Sequence, residues 1–417
     1  MPKGVCVILN WNVDYAEIPR HELPTVVAQS YERMVVALQD WPQGTVCFNM
    51  TGPTLDYLDQ NAPALLRRVK RLVSERRVEM LASSHSHAIL PLLPRTRIRS
   101  QIRTHTMRIK QIFDTEPQGF WPPELAVSPV VLLEIAAAGL KWTAADYEHY
   151  SISQVLGNTG NPFERRSNTT AEMLSDAYTA KGVIGKPAAY LKALGKTLRM
   201  LTEQKTVLSR LCVDKGASVP ALLCSTAWSI ATHFALGREL PEAIYSARKH
   251  TQNIDRCPAD YVPLFASDME YWGYRGLKGP PPDPEELVAF LSKLNGRGIR
   301  TLTPSQIPPE AWPPQSVFVG TGSWSPDASL RIWQESADNR ELARRSEEIY
   351  RLLGRLHWDP EIMHEIEHVL QRTLERAENS DARGWIPSIE RKQESYAALL
   401  KVVEMLSEQA EKGRQED

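Results

Sequence analysis

Short apolar segments alternate with amphipathic segments along residues 1–310, and this alternation constrains the fold more than any other feature of the chain. Residues 5–9 and 44–50 have the composition of buried strands. Residues 25–38 and 62–75 carry apolar side chains at helical spacing, with basic residues on the other face of the second segment. Strands that are joined through helices usually run parallel, so the alternation predicts a β/α layout with a parallel sheet or barrel.

The alternation continues after residue 75, with one long exception. Further strands are predicted at 78–82, 140–145, 261–266 and 301–303, and further helices at 95–113, 130–138 and 284–294. Asp283 and Glu286 form a capping-box pattern at the start of the last of these helices. Residues 151–255 are predicted to form an irregular and helical insertion, because their first part is rich in Ser, Asn, Gly and Thr.

The composition changes after two pairs of prolines near residue 310. From residue 336 to 416 most of the chain is helix-forming, charged and poor in strand signals. This change predicts two domains, a catalytic β/α domain over residues 1–310 and a helical domain over residues 311–417.

The bulk composition argues against several classes of partner. Hydrophobic residues make up 42% of the chain, charged residues 24%, and the formal net charge is −1. A charge so close to zero gives no general attraction for nucleic acid or anionic lipid. The five cysteines are scattered, and we find neither a signal-peptide pattern nor an apolar run long enough for a membrane. We therefore expect a cytoplasmic protein without membrane contact, whose oligomeric state the sequence leaves open.

Polar and acidic residues stand directly after several of the predicted strands. The paired prolines Pro122 and Pro123 indicate that the backbone leaves a strand at this point, because proline cannot donate to a central sheet ladder. In a parallel sheet or barrel, all such strand ends lie at one rim, where β/α enzymes place their catalytic groups. The residues concerned are Asn12 and Asp14, then Glu124, and finally Asp268 and Glu270.

Two of these acids could meet in one pocket although they are far apart in the sequence. Retaining glycoside transfer needs a pair of carboxylates about 5–5.5 Å apart, one to attack the anomeric carbon and one to act as acid and then as base. Glu124 and Asp268 fit this requirement by type, and Trp121 and Trp272 beside them offer apolar faces for sugar rings. Two unrelated loops that happen to carry acids remain the alternative, because spacing alone does not separate the two interpretations.

Several sequence blocks, taken together and in order, resemble those of glycoside hydrolase family 57. The block that ends at Glu124 is similar to the nucleophile block of the family, and the block around Asp268 is similar to its acid/base block. The block that begins at His87 resembles the one whose histidine lines the donor-sugar subsite. The matching segments are 87–93, 119–124, 265–273 and 322–324, together with Trp333 and residues 380–385.

This resemblance implies an incomplete, seven-stranded β/α barrel with a helical domain packed on its catalytic face. It also implies retaining cleavage or transfer of α-glycosidic bonds in a carbohydrate substrate, without a metal or other cofactor. Glu124 would then be the nucleophile and Asp268 the general acid/base. Residues implied to bind substrate are His87, Trp121, Glu270 and Trp324, to which the strand-end residues Asn12 and Asp14 and the aromatic Trp272 are added as candidates.

The chain departs from the family pattern in three respects. Asn12-Val13-Asp14 stand where the family usually has a His-Gln-Pro stretch, and Met269 stands where many members have Gly. The chain is also short for an amylase of this family. These departures argue against a long α-glucan as substrate more than against the retaining chemistry.

Two other functions are compatible with the sequence. His85 and His87, with Asp14 or Asn12, could hold a divalent metal and a hydrolytic water, which resembles the polysaccharide deacetylases. A catalytically silent relative that binds a saccharide or a partner is the second alternative, and the missing His-Gln-Pro stretch motivates it.

Overall fold

The computed structural model of the chain describes residues 2–15, 18–156, 204–214, 217–237, 245–276, 280–325, 327–355, 369–370, 372–383 and 389–416. The strands in these ranges form two five-stranded sheets. The first sheet contains β1 (Gly4–Trp11), β2 (Val46–Met50), β3 (Val78–Met80), β9 (Tyr261–Asp268) and β10 (Arg300–Thr301). The second contains β4 (Ala82–Ser83), β5 (Gly119–Trp121), β6 (Trp142–Asp146), β7 (Leu208–Asp214) and β8 (Ala217–Cys224).

Strand β1 lies at the centre of the first sheet. It pairs in parallel with β2, β9 and β10, and every residue of β1 is buried. Burial along a whole strand is typical of parallel sheets that are covered on both faces, which explains the uninterrupted apolar run in the sequence.

Leu81 divides the predicted strand at 78–82 into two short strands. β3 pairs with β2, whereas β4 pairs with β5 in the other sheet. When β3 and β4 are counted as one interrupted strand, the parallel strands follow the order β9, β1, β2, β3/β4, β5, β6, β8, which makes seven positions.

The parallel β/α layout is therefore confirmed, whereas closure into a barrel stays a prediction. Strand β8 lies beside β9. Within the described ranges, however, no hydrogen-bonded ladder joins these two strands. The order of the strands agrees with an incomplete barrel, and it places the carboxyl ends of β1, β5 and β9 at the same rim.

Helices connect most of the strands. The first helical segment runs through α1 (Leu23–Val26), a π-helical turn (Val27–Glu32) and α2 (Arg33–Gln39). The others before residue 300 are α3 (Gly52–Asn61), α4 (Pro63–Ser74), α5 (Arg95–Phe113), α6 (Pro129–Ala137), α7 (Tyr147–Leu156), α8 (Thr226–Leu236), α9 (Ala247–Arg256) and α10 (Pro284–Gly296). The predicted capping box of Asp283 and Glu286 is present at the start of α10.

The predicted insertion at 151–255 is wrong in part. It contains β7 and β8, and β8 pairs in parallel with β6, so this region supplies one of the seven strand positions. Pro220 lies within β8 and weakens its sequence signal, because a proline cannot donate to the ladder. Residues 151–156 belong to α7 rather than to an irregular segment. Residues 157–203, where the rest of the excursion is predicted, lie outside the described ranges.

The part of the chain after residue 336 is helical where it is described, with α11 (Ala337–Arg355), residues 372–378 and α12 (Ile389–Glu416). Buried apolar residues from these segments, among them Leu342, Leu374 and Val402, form a core of their own. A separate core agrees with the predicted helical domain, and its boundary near residue 310 stays a prediction. None of the helices in the described part of the chain combines the length and the hydropathy that a membrane crossing requires.

Candidate active site

Glu124 lies in a tight turn that follows β5. The 3₁₀ turn Pro123–Leu125 begins at the second proline of the pair, and Glu124 adopts a left-handed backbone conformation with φ of 58°. Such a conformation costs a non-glycine residue roughly 1–3 kcal/mol, and residues that adopt it are enriched at functional sites. The indole N–H of Trp324 donates to Oε2 of Glu124 at 2.5 Å, which fixes the direction of the carboxylate.

The loop that carries Trp324 is itself anchored beside the Glu124 turn. Gly322 exchanges two backbone hydrogen bonds with Val127, of 2.9 and 3.1 Å. A Cβ atom at position 322 would lie 2.3 Å from the carbonyl oxygen of Ala328 and 2.4 Å from the His149 ring, so only glycine permits this close approach. The loop therefore holds Trp324 against Glu124 through contacts that depend on the absence of a side chain at position 322.

Asp268 is the last residue of β9 and accepts hydrogen bonds on both carboxylate oxygens. The hydroxyl of Tyr15 donates to Oδ1 at 2.5 Å, and the guanidinium of Arg275 donates to Oδ2 at 2.5 Å. Asp268 and Arg275 both keep about a fifth of their side-chain surface exposed, at 22% and 19%. The acid is thus partly open to solvent and paired with a cation.

Glu270 is fully buried behind Asp268. Its Oε1 accepts a hydrogen bond from the backbone N–H of Asn12 at 3.2 Å and another from the hydroxyl of Tyr31. Burial, and secondly the negative charge of Asp268, raise the pKa of Glu270 to about 8, although Arg275 and the Tyr31 hydrogen bond act in the opposite direction. A carboxyl group in this environment holds its proton at neutral pH.

The helical region after residue 336 reaches the same site. Nδ2 of Asn12 donates to Oδ2 of Asp381 at 3.1 Å, and Nδ1 of His87 lies 2.8 Å from the Ser380 hydroxyl and 3.9 Å from Asp381. The ring of Tyr15 meets the His87 ring edge-on, with centroids 5.9 Å apart. Asp268, Tyr15, His87, Asp381, Asn12 and Glu270 therefore form one continuous set of contacts.

His87 is buried, and burial lowers the pKa of its imidazole to about 4. Its backbone is left-handed, with φ of 56°. The ring is thus neutral at neutral pH and can exchange hydrogen bonds with uncharged hydroxyl groups. This agrees with the sequence-based hypothesis of a substrate-binding residue, which stays a prediction.

The backbone N–H of Asp14 donates to Oδ1 of Asn12 at 3.0 Å, but the carboxylate of Asp14 faces the terminal helix. It is within 3.6 Å of Arg20 and 3.8 Å of Arg391. Burial raises the pKa of Asp14, and the two arginines oppose this shift. Its partners are thus protein cations rather than the acids of the site.

Trp121 and Trp272 are both buried in the protein interior. Trp121 is 4% exposed and Trp272 is 0% exposed. Trp272 packs against the rings of Phe265 and His233 at centroid distances of 5.2 and 5.8 Å. In this structure neither ring presents an open face, so the burial of Trp121 and Trp272 does not favour the expected stacking of a sugar on them, and their role in substrate binding stays a prediction.

Trp324 differs from these two rings because part of its side chain is exposed. It packs edge-on against Trp333, with centroids 6.3 Å apart. Of the predicted tryptophans in the described region, Trp324 is the one that combines contact with an acid and access to solvent.

Sequence reasoning missed four residues of the site, namely Tyr15, Tyr31, Arg275 and Asp381. Tyr15 and Arg275 lie next to segments that were recognised as strand ends, so their proximity in sequence was an available signal. Tyr31 lies within a helical segment and shows no spacing that connects it to Glu270. Asp381 lies in the matching segment 380–385, but that match assigns no role to Asp381 and no contact with Asn12.

The metal alternative is not supported by the arrangement of the histidines. His87 contacts Ser380 and Asp381, whereas His85 has Glu375 at 3.7 Å and the His105 ring at 6.2 Å. Within the described ranges, no group of three or more His, Cys, Asp or Glu side chains could hold a metal ion.

A parallel β/α fold with acids at the carboxyl ends of its strands is the architecture of many β/α enzymes. The model of glycosyl hydrolase family 57 matches residues 14–308 of this chain. The chain therefore belongs to glycosyl hydrolase family 57, which confirms the resemblance seen in its motifs. The family consists of glycoside hydrolases and transglycosylases, and membership does not favour the deacetylase alternative.

Relatives of known activity match only a part of the chain. Alpha-amylase 1 of Dictyoglomus thermophilum is 24% identical over 121 residues, which is 29% of this chain and 18% of that protein. The 4-alpha-glucanotransferase of Thermococcus litoralis is 20% identical over 122 residues, again 29% of this chain and 18% of that protein. The matched segment thus spans less than a fifth of the length of either relative.

Solved structures resemble the chain over most of its length. A family 57 branching enzyme from Thermococcus kodakaraensis, in complex with glucose, has a TM-score of 0.63 and 15% identity, and the match covers 96% of this chain and 88% of that one. The 4-alpha-glucanotransferase of Thermococcus litoralis has a TM-score of 0.61 and 13% identity, covering 95% of this chain and 57% of that one. At these identities the likeness shows the fold alone.

Proposed function

We propose that this protein is a retaining glycosidase or transglycosylase that acts on the α-glycosidic bonds of an α-glucan or a smaller α-glycoside. In this proposal Glu124 is the nucleophile and Asp268 the general acid/base. The observation that carries the proposal is that both acids follow the carboxyl ends of parallel strands and each is oriented by a dedicated donor, Trp324 for one and Arg275 for the other.

The first chemical step would form a covalent glycosyl-enzyme. Glu124 attacks the anomeric carbon while Asp268 gives a proton to the glycosidic oxygen, so one C–O bond forms as another breaks. The left-handed turn and the Trp324 hydrogen bond support this role because they hold the carboxylate in one direction before substrate arrives.

In the second step Asp268 takes a proton from the acceptor, whose oxygen attacks the same carbon and releases Glu124. A water molecule as acceptor gives hydrolysis, and a sugar hydroxyl gives transfer. The partial exposure of Asp268 supports its role, since the proton has to be exchanged with a group from solvent or substrate.

We further propose that the polar set around His87 and Asn12 binds the donor sugar. The neutral His87 ring and the Asn12 amide are held by Ser380 and Asp381, and Trp324 offers a partly exposed ring beside the nucleophile. The names of the relatives support α-glucans as a substrate class. The departure at Asn12-Val13-Asp14 from the family pattern supports a smaller α-glycoside.

The test is a screen of aryl α-glycosides, malto-oligosaccharides and α-glucans with wild-type protein, Glu124→Gln and Asp268→Asn. The configuration of the first product is read by NMR. We expect retained α-configuration with the wild type and strong loss of turnover in both variants. Glu310→Gln is the matched control, because Glu310 is an exposed carboxylate on a different loop.

An inverted product would overturn the nucleophile assignment. Full activity of Asp268→Asn on every substrate would overturn the acid/base assignment. Saccharide binding by the wild type without turnover of any α-glycoside would favour the catalytically silent relative instead.

A further inference from the structure

Arg275 contacts Asp268 in a way that bears on the protonation of the acid. Its guanidinium donates to Oδ2 at 2.5 Å while Tyr15 donates to Oδ1 at 2.5 Å. A carboxyl group that accepts hydrogen bonds on both oxygens has the arrangement of an ionised carboxylate. A positive charge at contact distance stabilises that form further.

The position of Arg275 is fixed by the turn that precedes it. Gly273 has φ of 88°, and a Cβ atom at this position would lie 2.1 Å from the carbonyl oxygen of Gln29. The turn folds the chain back, so that the backbone N–H of Arg275 donates to the Glu270 carbonyl at 2.9 Å. The turn at Gly273 therefore places the Arg275 side chain next to Asp268.

Two aromatic rings hold the guanidinium in addition. Its central carbon lies 4.6 Å from the centroid of the Tyr271 ring and 5.1 Å from that of Tyr15. Such cation–π contacts are attractive because the face of an aromatic ring carries partial negative charge. Arg275 is thus restrained from both sides rather than free to leave the acid.

The titratable groups that surround Asp268 and Arg275 in the described residues are the phenols of Tyr15 and Tyr31 and the carboxyl group of Glu270. Burial raises the pKa of Tyr15 and of Tyr31 well above the usual value, so both phenols are neutral. Burial also raises the pKa of Glu270, which therefore keeps its proton at neutral pH. In this group of five side chains, Asp268 is the anion that balances the guanidinium.

We propose that Arg275 is a positioning residue for the acid/base, which keeps Asp268 ionised and aims its carboxylate before substrate binds. This inference rests on the proposed function, in which Asp268 must carry a proton when the leaving oxygen departs. Asp268 then takes that proton from hydronium in solution and passes it to the glycosidic oxygen as the C–O bond breaks. The first step should therefore be fastest at acidic pH. Its rate should depend least on pH for aglycones that leave as stable anions, because these need no proton from Asp268.

The first experiment compares pH profiles of kcat/KM for wild type, Arg275→Gln and Arg275→Lys on a 4-nitrophenyl α-glycoside and on an unactivated α-glycoside. The basic limb reports the ionisation of the acid in the free enzyme. We expect Arg275→Gln to move this limb upward by about one pH unit or more, and Arg275→Lys to keep it near the wild-type position. Arg67→Gln, an exposed arginine on α4, is the control and should leave the profile unchanged.

The second experiment needs neither turnover nor a stable Arg275 variant. Protein labelled with ¹³C at the aspartate carboxyl carbon is titrated by NMR, and the Asp268 signal is identified by its loss in Asp268→Asn. We expect the wild-type signal to titrate below the ordinary aspartate value of about 3.9. Tyr15→Phe, which removes one donor, should raise that midpoint.

Titration of Asp268 at or above the ordinary value, or identical basic limbs for wild type and Arg275→Gln, would overturn the inference. Failure of the proposed function has a different signature, namely undiminished turnover of the unactivated α-glycoside by Asp268→Asn. If Asp268→Asn is inactive while Arg275→Gln leaves the limb in place, only the role of Arg275 is wrong.

Discussion

Glu124 and Asp268 are both acids that follow a parallel strand, but their surroundings differ in backbone geometry and in charge. Glu124 has a left-handed backbone with φ of 58° and accepts a hydrogen bond from the neutral indole of Trp324. Asp268 has an extended backbone with φ of −66° and ψ of 133° and is paired with the guanidinium of Arg275. Two carboxylates at strand ends on the same rim thus have different neighbours, a neutral indole for Glu124 and a cation for Asp268.

The comparison shows that different kinds of contact orient the two carboxylates. The direction of the Glu124 carboxylate comes from a strained turn and a loop that closes on it. The carboxylate of Asp268 is instead held by hydrogen bonds from the Arg275 guanidinium and the Tyr15 hydroxyl. Pairs of acids whose environments differ in this way are those to which distinct catalytic roles can be assigned.

The largest expected effect is that of Glu124→Gln. Loss of the proposed nucleophile should lower kcat by at least about 10³-fold, because the amide cannot form the covalent intermediate. Added azide should restore part of the turnover and give a β-glycosyl azide, detectable by NMR. The same loss in Glu310→Gln would point to an unspecific effect on folding instead.

Trp324→Phe tests the geometric side of the comparison. The variant keeps an aromatic ring and removes the indole N–H that donates to Glu124. We expect kcat/KM to fall by about 10²-fold, the usual consequence of losing one oriented donor at a reacting group. Trp41→Phe, which removes another buried indole, should leave kcat/KM unchanged. Equal rates for Trp324→Phe and wild type would show that the turn alone orients Glu124.

Glu270→Gln tests the charge around Asp268 through stability. Burial raises the pKa of Glu270 in the folded protein, so the folded state binds more protons than the unfolded state between the two pKa values. The free energy of unfolding of the wild type should therefore fall as pH rises from 5 to 8, by on the order of 2 kcal/mol more than that of Glu270→Gln. Urea unfolding at the two pH values measures the difference, and parallel curves would contradict a raised pKa.

The smallest expected effect concerns the helical region. Asp381→Asn keeps the shape of the side chain and removes the charge that holds Asn12 and faces His87. We expect KM to rise by about 10-fold with a smaller change in kcat, as for the loss of one charged hydrogen bond at a binding group. Asp338→Asn is the control, since Asp338 lies on the same helical region with 66% of its side chain exposed. An unchanged KM would separate Asp381 from the donor site.

Much of the layout could be predicted from the sequence, namely those helices and strands whose sequence pattern depends only on their own residues. The strand at β1, the helix at 95–113 and the capping box of Asp283 and Glu286 are confirmed, because apolar periodicity and caps are local properties. Strands β7 and β8 were missed because their stabilisation comes from pairing with each other and with β6, and Pro220 hides the signal.

The candidate site divides along the same line. Glu124 and Asp268 were recognisable because each follows a strand and lies in a motif of the family. Arg275 and Tyr31 were not recognisable, because their roles depend on the side chains that they contact in the folded protein. The burial of Trp272 could not be predicted from its aromatic character alone.

The sequence by itself determined most of the strands and helices outside residues 151–255, the position of two acids at strand ends and the membership of the family, since all of these depend on residue type and local spacing. Only the tertiary structure decided that Arg275 and Tyr15 share Asp268, that Trp324 is held on Glu124, and that Asp381 reaches Asn12 from the far end of the chain. Charge and hydrogen-bond partners act over a few ångströms in space, and distance along the chain does not report them.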